Sequence, residues 1–166
     1  ALALEKANSI EPYLGGITGD TTIGFYYCYD SLVRLQTYPS SMPSEQEKLL
    51  AKVTANQAKV KLWAEQAPMN YQHKYDLVEA EKARVLGQFE LAAKGYEKAI
   101  AGARENEYLQ EEALAYELAA RFYLAQGMEK IAQTYLTEAS YRYRRWGAMA
   151  KVQHLQTHYP QFLTKK

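Results

Sequence analysis

The sequence predicts an all-α fold built from antiparallel helix pairs, about seven or eight helices in all, on three observations. Apolar residues recur at spacings of three and four, and no segment of the 166 residues shows sustained strand alternation. One pattern occurs twice, 40 residues apart: Gly87, Phe89, Ala92, Tyr96 and Ala99 align with Gly127, Glu129, Ala132, Leu136 and Ala139. Breaks at Tyr38–Pro43, Ala67-Pro68, the two repeat glycines and Pro160 bound the periodic stretches.

Taken in order, residues 1–24 read as a short helix followed by a glycine-rich connector carrying Gly15, Gly16, Gly19 and Gly24. Residues 25–166 read as a single helical domain. A tyrosine-rich helix is expected from about Thr22 to Thr37. Ser44 and Glu47 form an S-x-x-E capping box, which predicts a helix start there. That helix runs to about Gln66 with Leu49, Val53, Val60 and Trp63 on one face, and Pro68 ends it. The next spans about Asn70 to Leu86, with Tyr75, Val78 and Val85 among its apolar positions.

Beyond Gly87 the buried stripe sharpens, through Phe89, Ala92, Ala93, Tyr96, Ala99, Ile100 and Ala103. Ala113, Tyr116, Ala120, Tyr123 and Leu124 mark the helix before Gly127, and Ile131, Ala132, Tyr135, Leu136, Ala139 and Tyr143 the helix after it. A final helix carries Ala148, Val152, Leu155 and Tyr159. The clearest repeats cover about 71–106 and 108–146, and the pair over 22–66 reads as a degenerate third copy.

Composition bounds the function. Hydrophobic residues make up 48% and charged residues 23%, an ordinary globular balance with room for one core. A net charge of +1 gives no electrostatic reason to expect nucleic acid or an anionic membrane. No stretch reaches the roughly 20 apolar residues of a membrane span, and no basic-then-apolar signal segment is seen. The single cysteine, Cys28, excludes an intramolecular disulfide and fits a reducing, cytoplasmic setting. The 15 tyrosines read as packing first and recognition second. A start at Ala1 is compatible with an excised piece of a longer chain.

The pattern G-x-[FY]-x-x-A-x-x-x-[YFL]-x-x-A resembles the turn and second helix of a tetratricopeptide repeat. Gly87 and Gly127 take its turn, Ala92 and Ala132 its small position, Tyr96 and Leu136 its large one, and Ala99 and Ala139 its second small one. Ala80 and Ala120 match a small position of the preceding helix. Two departures stand out: a period of 40 against about 34, and Arg104 and Arg144 in place of its proline. The resemblance implies an α-α superhelix of altered geometry whose first helices line a concave face. It would place Lys74, Leu77, Glu81 and Arg84 from one repeat there, with Leu114, Glu117, Arg121 and Leu124 from the next. Such a mixed groove suits an extended peptide or a helix. The plainer alternative is mutual pairing, as for Glu117 and Arg121 at i,i+4 spacing, worth only about 0.3 kcal/mol.

Signatures of chemistry are missing. The sequence has no phosphate-loop motif and no kinase motif. Gly-Gly-Ile-Thr-Gly-Asp at 15–20 has neither a phosphate-binding lysine nor a preceding strand, so it reads as a connector. His154 and His158 lie four apart without a third ligand, a poor metal site, and His73 stands beside Lys74. No nucleophile–base pair or carboxylate pair can be named, so no catalytic residue, metal or cofactor is expected. Cys28, set among Phe25, Tyr26, Tyr27 and Tyr29, reads as a small buried hydrophobe. Arg142, Arg144, Arg145 and Lys151 around Trp146 read as a solvated basic helix end rather than a nucleic-acid patch.

Longer runs carry a second resemblance. Trp63 to Tyr75 leading into Leu77 to Arg84, Glu111 to Tyr123, and Tyr141 to Val152 closing with His158-Tyr-Pro160 resemble the helical region of large cyanobacterial signalling proteins. Those proteins combine a serine/threonine kinase, an ATPase module, a GAF sensor and a sensor histidine kinase, and the resemblance covers the chain from about Gly15 onward. It implies a non-catalytic regulatory scaffold between the ATPase and GAF modules. Its partners would be adjoining domains of the same chain, with a homodimer compatible, and the kinase's catalytic residues would lie elsewhere. The alternative is a small-ligand sensor with a tyrosine-lined pocket between helices.

Overall fold

Helix follows helix from end to end of the computed structural model, which describes residues 2–16 and 22–163. Of the glycine-rich connector expected within residues 1–24, residues 17–21 lie outside the described residues. These hold α1 (Leu2–Ile10), α2 (Thr22–Thr37), α3 (Pro43–Gln66), α4 (Pro68–Val85), α5 (Phe89–Glu105), α6 (Leu109–Ala125), α7 (Glu129–Trp146), α8 (Met149–His158) and α9 (Pro160–Leu163). Short 3-10 turns occupy Glu11–Gly16 and Tyr38–Ser40. The protein is all-α, with no strand among the described residues and with neighbouring helices packed in pairs.

Two helix starts differ from the sequence reading, for one reason. Ser44 caps nothing: Met42 is the N-cap with extended backbone, Pro43 takes the first helical position, and no side chain caps the end. Likewise α4 opens at Pro68 rather than near Asn70. Proline at the first position has its backbone angle already set and leaves no amide to satisfy. Both prolines therefore begin helices, and Ser44 is drawn into the first turn.

The chain divides into two compact units, residues 1–92 and 93–166. In the first, α3 runs antiparallel to α2 and α4. Lys59 Nζ donates to the Tyr27 hydroxyl at 3.0 Å and Asn56 Nδ2 to Asp30 Oδ2 at 2.6 Å. On the other side, Gln57 Nε2 donates to the Tyr75 carbonyl at 3.0 Å. Cys28, Leu35, Val53 and Val78 form one core cluster, with Cys28 buried as a small hydrophobe. Leu14, Tyr27 and Val60 form another, flanked by Trp63 and Tyr71. The Tyr71 ring of α4 lies against the α2 backbone at Gly24, where an added Cβ would be 2.4 Å from it.

The second unit is built from α6, α7, α8, α9 and all but the first turn of α5. Tyr96 meets Phe122 with ring centroids 5.4 Å apart, and Arg104 Nε donates to Glu112 at 3.0 Å, so α5 and α6 are antiparallel. Helix α7 returns along α6, through Arg142 to Glu112 at 2.9 Å and Tyr143 to Glu117 at 2.7 Å. Tyr96 and Leu136 are wholly buried, as are Ala99, Ala132 and Ala139 to within 1%. In the first unit, Ala92 is equally buried.

One turn recurs four times. Gly87, Glu107, Gly127 and Gly147 all have positive φ, at 72°, 62°, 73° and 86°. In each case the amide of that residue donates to the carbonyl three back. The next amide donates to the carbonyl five back, as in Gln88 to Ala83 and Tyr108 to Ala103 at 2.9 and 2.8 Å. Met128 to Tyr123 and Ala148 to Tyr143, both 2.9 Å, complete the set. This is the Schellman closure, which satisfies the last carbonyls of a helix. The sequence period of 40 is thus two steps of twenty, each a helix and a turn; Glu107 hides the half-step because it is not glycine.

Candidate functional site

The eight residues that the repeat resemblance assigns to a groove have unlike environments. In the first unit Lys74, Leu77 and Glu81 are each only 2% exposed. Lys74 Nζ donates to the Asn70 carbonyl at 2.9 Å, lies 3.1 Å from His73 Nε2 and sits 4.5 Å above the Phe25 ring. Burial, helped by the Lys74 charge, pushes the His73 imidazole down to about 3, so it is neutral and its Nε2 accepts. Half-buried Arg84 grips Glu81 with Nε and Nη2, the shortest contact 2.7 Å. In the second unit Leu114 and Leu124 are half-buried, and Glu117 is buried, accepting from Tyr143 and from Lys151 at 2.7 Å. Arg121 alone of the eight is exposed.

A second feature of the 93–166 unit was not legible in the sequence. A cleft of about 370 Å³ runs between α5 and α7 over α6, lined by Glu97, Arg104, Tyr116, Thr134, Tyr135 and Glu138 among others. Tyr116 makes its floor. The Arg142 guanidinium lies 5.0 Å above that ring and the Arg104 guanidinium 5.9 Å, the latter also donating to the Tyr116 hydroxyl. Both arginines converge on Glu112, which is 6% exposed, and Arg142 also binds Glu138. On the opposite wall the Tyr135 hydroxyl donates to Glu97, and its ring packs edge-on against Tyr116 at 5.5 Å.

These contacts fix protonation. Burial raises the Tyr135 phenol above its usual value, and its bond to Glu97 adds to that. Burial raises Tyr116 too, opposed by Arg104 and Arg142. Arg104 is raised chiefly by its hydrogen bond to Glu112. The cleft thus presents phenols held neutral beside guanidinium groups, suited to hydrogen bonding and to cation–π contact.

The remaining expectations fall as follows. The basic cluster is dispersed: Arg142 goes to Glu112 and Glu138, Lys151 to Glu117, while Arg144 and Arg145 stay exposed. His154 and His158 are exposed and stacked with centroids 4.0 Å apart. No group of three or more metal-binding side chains occurs among the described residues. No helix among them is long and apolar enough to cross a membrane. Compared with known proteins, the chain matches no family model, no curated protein and no solved structure.

Proposed function

We propose that this chain is a non-catalytic protein-interaction and regulatory scaffold within a multidomain signalling kinase, coupling kinase and ATPase modules to a sensor. The observation that carries the reading is the succession of similar helices joined by one turn geometry at 87, 107, 127 and 147. Such repetition makes faces rather than a convergence of reactive groups, and helical-repeat proteins use such faces to hold other polypeptides. The long runs that resemble the helical region of cyanobacterial signalling proteins supply the context: a cytoplasmic setting, with the adjoining ATPase and GAF modules as partners.

Calorimetric titration of the chain with those two modules tests it. Saturable binding is expected, weakened at least tenfold by Arg121→Glu. Arg84→Glu is the less clean probe, since it also removes the partner of buried Glu81. If neither module binds and kinase regulation survives reversal of both arginines, the scaffold reading fails.

A small-ligand sensor is the second reading, favoured by the tyrosine-floored cleft of about 370 Å³. A small molecule retained in native mass spectrometry and lost in Tyr116→Ala would support it.

A further inference from the structure

The cleft between α5 and α7 has two chemically opposite ends. At one, the Tyr135 hydroxyl donates to Glu97; at the other, Arg104 and Arg142 meet on Glu112. Both helices run antiparallel to α6 and so parallel to each other. Glu97 stands seven residues before Arg104 on α5, and Tyr135 seven before Arg142 on α7, so the two walls stay in register between the ends. Seven residues of α-helix rise about 10 Å. Ile100, Ala101 and Tyr116 lie along that length, in a volume of about 370 Å³. Small-molecule pockets run from roughly 300 to 1,000 Å³.

The end groups keep binding capacity. Glu97 is exposed, accepts from Tyr135 through one oxygen, and has no ion pair among the described residues. Arg104 places Nε on Glu112 and Nη2 on the Tyr116 hydroxyl, which engages two of the five N–H groups of a guanidinium. Its side chain is 53% exposed, against 14% for Arg142, which is held between Glu112 and Glu138. Arg142 thus neutralises Glu138, and Arg104 is the cation that lines the cleft. A carboxylate and a guanidinium at opposite ends of an apolar and aromatic floor match a ligand that carries an ammonium and a carboxylate equally far apart. An extended chain advances about 3.4 Å per residue, so roughly three residues span the distance.

We propose that the α5–α7 cleft binds a short peptide with both termini free, its ammonium on Glu97 and its carboxylate on Arg104. The proposal names a ligand class for the small-ligand reading and rests on that reading. The middle of the peptide lies over Ile100 and the Tyr116 ring, and length is selected by the spacing of the two charged ends.

The probe is the tripeptide Ala-Leu-Ala, titrated calorimetrically into the full chain beside its N-acetylated form, its C-amidated form and free leucine. The free tripeptide should bind saturably, about tenfold or more tighter than either capped form, as expected for one lost hydrogen bond between charged groups. Leucine should bind more weakly too, because its two charges are too close together to reach both ends. Glu97→Gln keeps an acceptor for the Tyr135 hydroxyl and should abolish only the preference for a free N-terminus. Arg104→Gln should abolish only the preference for a free C-terminus. Loss of one preference with retention of the other guards against a folding artefact, since a misfolded variant would lose both. The proposal is overturned by no saturable binding of Ala-Leu-Ala, by equal binding of the capped forms, or by variants that leave both preferences intact. If Ala-Leu-Ala fails while native mass spectrometry still finds a small molecule that Tyr116→Ala loses, the peptide falls and the small-ligand reading stands.

Discussion

The two units solve the same packing problem by different means. The first joins helices of 16, 24 and 18 residues through proline-marked links, and its seam is closed by a buried polar network. Arg34 Nε donates to Asp30 at 2.8 Å, Asn56 donates to both Asp30 and Ser31, and all four residues are buried. The second carries helices of 17 and 18 residues between turns of one kind, with alanines and one leucine at the centre of the seam. Where helix lengths are unequal, specific hydrogen bonds set the register. Where helix and turn repeat, the turn sets where each helix starts and small side chains bring the backbones close, with the bonds from Arg142 to Glu112 and from Tyr143 to Glu117 added along the seam.

Matched core substitutions break this comparison most forcefully. Asp30→Ala strips a buried guanidinium of its carboxylate, leaving it only the Asn8 side chain, and should cost about 3–5 kcal/mol, the range for breaking a buried ion pair. Leu136→Ala removes a fully buried side chain and should cost about 2–5 kcal/mol by transfer and cavity terms. The discriminating variant is Asn56→Leu: it should cost more than 1 kcal/mol because it leaves Asp30 and Ser31 short of a donor. Urea unfolding followed by far-ultraviolet circular dichroism measures all three. An Asn56→Leu protein as stable as the parent would mean that the polar seam does not set the first unit's register.

Legibility in the sequence followed the same division. From Gly87 onward the stripe of Ala92, Tyr96, Ala99, Ala132, Leu136 and Ala139 could be read because period, turn residue and burial coincide. The half-step at Glu107 escaped, since a left-handed residue is recognised in sequence only when it is glycine. In the first unit, Ser44 misled because a capping box and a proline compete for the same helix start. The Tyr116 cleft was invisible for another reason. It joins Glu97 to Tyr135 and Arg104 to Tyr116 across helices, and charged residues at such spacings look like any solvated face.

The buried histidine gives the first unit a pH signature. In the unfolded chain a histidine binds its proton near pH 6.5; folded His73 does so only at about 3. Above pH 6.5 both states are neutral there and stability does not depend on this group. As pH falls from 6.5 towards 3, the unfolded state takes up a proton that the folded state refuses. Stability therefore drops, by up to about 1.4 kcal/mol per pH unit, and levels below 3. The difference between the parent and His73→Gln, measured from pH 7 to pH 4 by urea unfolding, isolates the effect. Parallel curves would show that His73 is protonated inside the fold.

The smallest effect sharpens the role of the turn. At Gly87, Gly127 and Gly147 an added Cβ would meet nothing within 4 Å, so only the positive φ argues for glycine there. Glu107 holds φ 62° without that freedom, and an L side chain in this region costs about 1–2 kcal/mol. Glycine would relieve that strain while adding about 0.5–1 kcal/mol of unfolded-state entropy to lose on folding. Glu107→Gly should therefore stabilise by roughly 0.5 kcal/mol, and Gly127→Ala should destabilise by roughly the same amount or somewhat more. Opposite signs from one backbone geometry, read as shifts in the urea midpoint at constant slope, would tie the twenty-residue step to turn conformation. Equal signs would assign it to the side chains that the turns bring together.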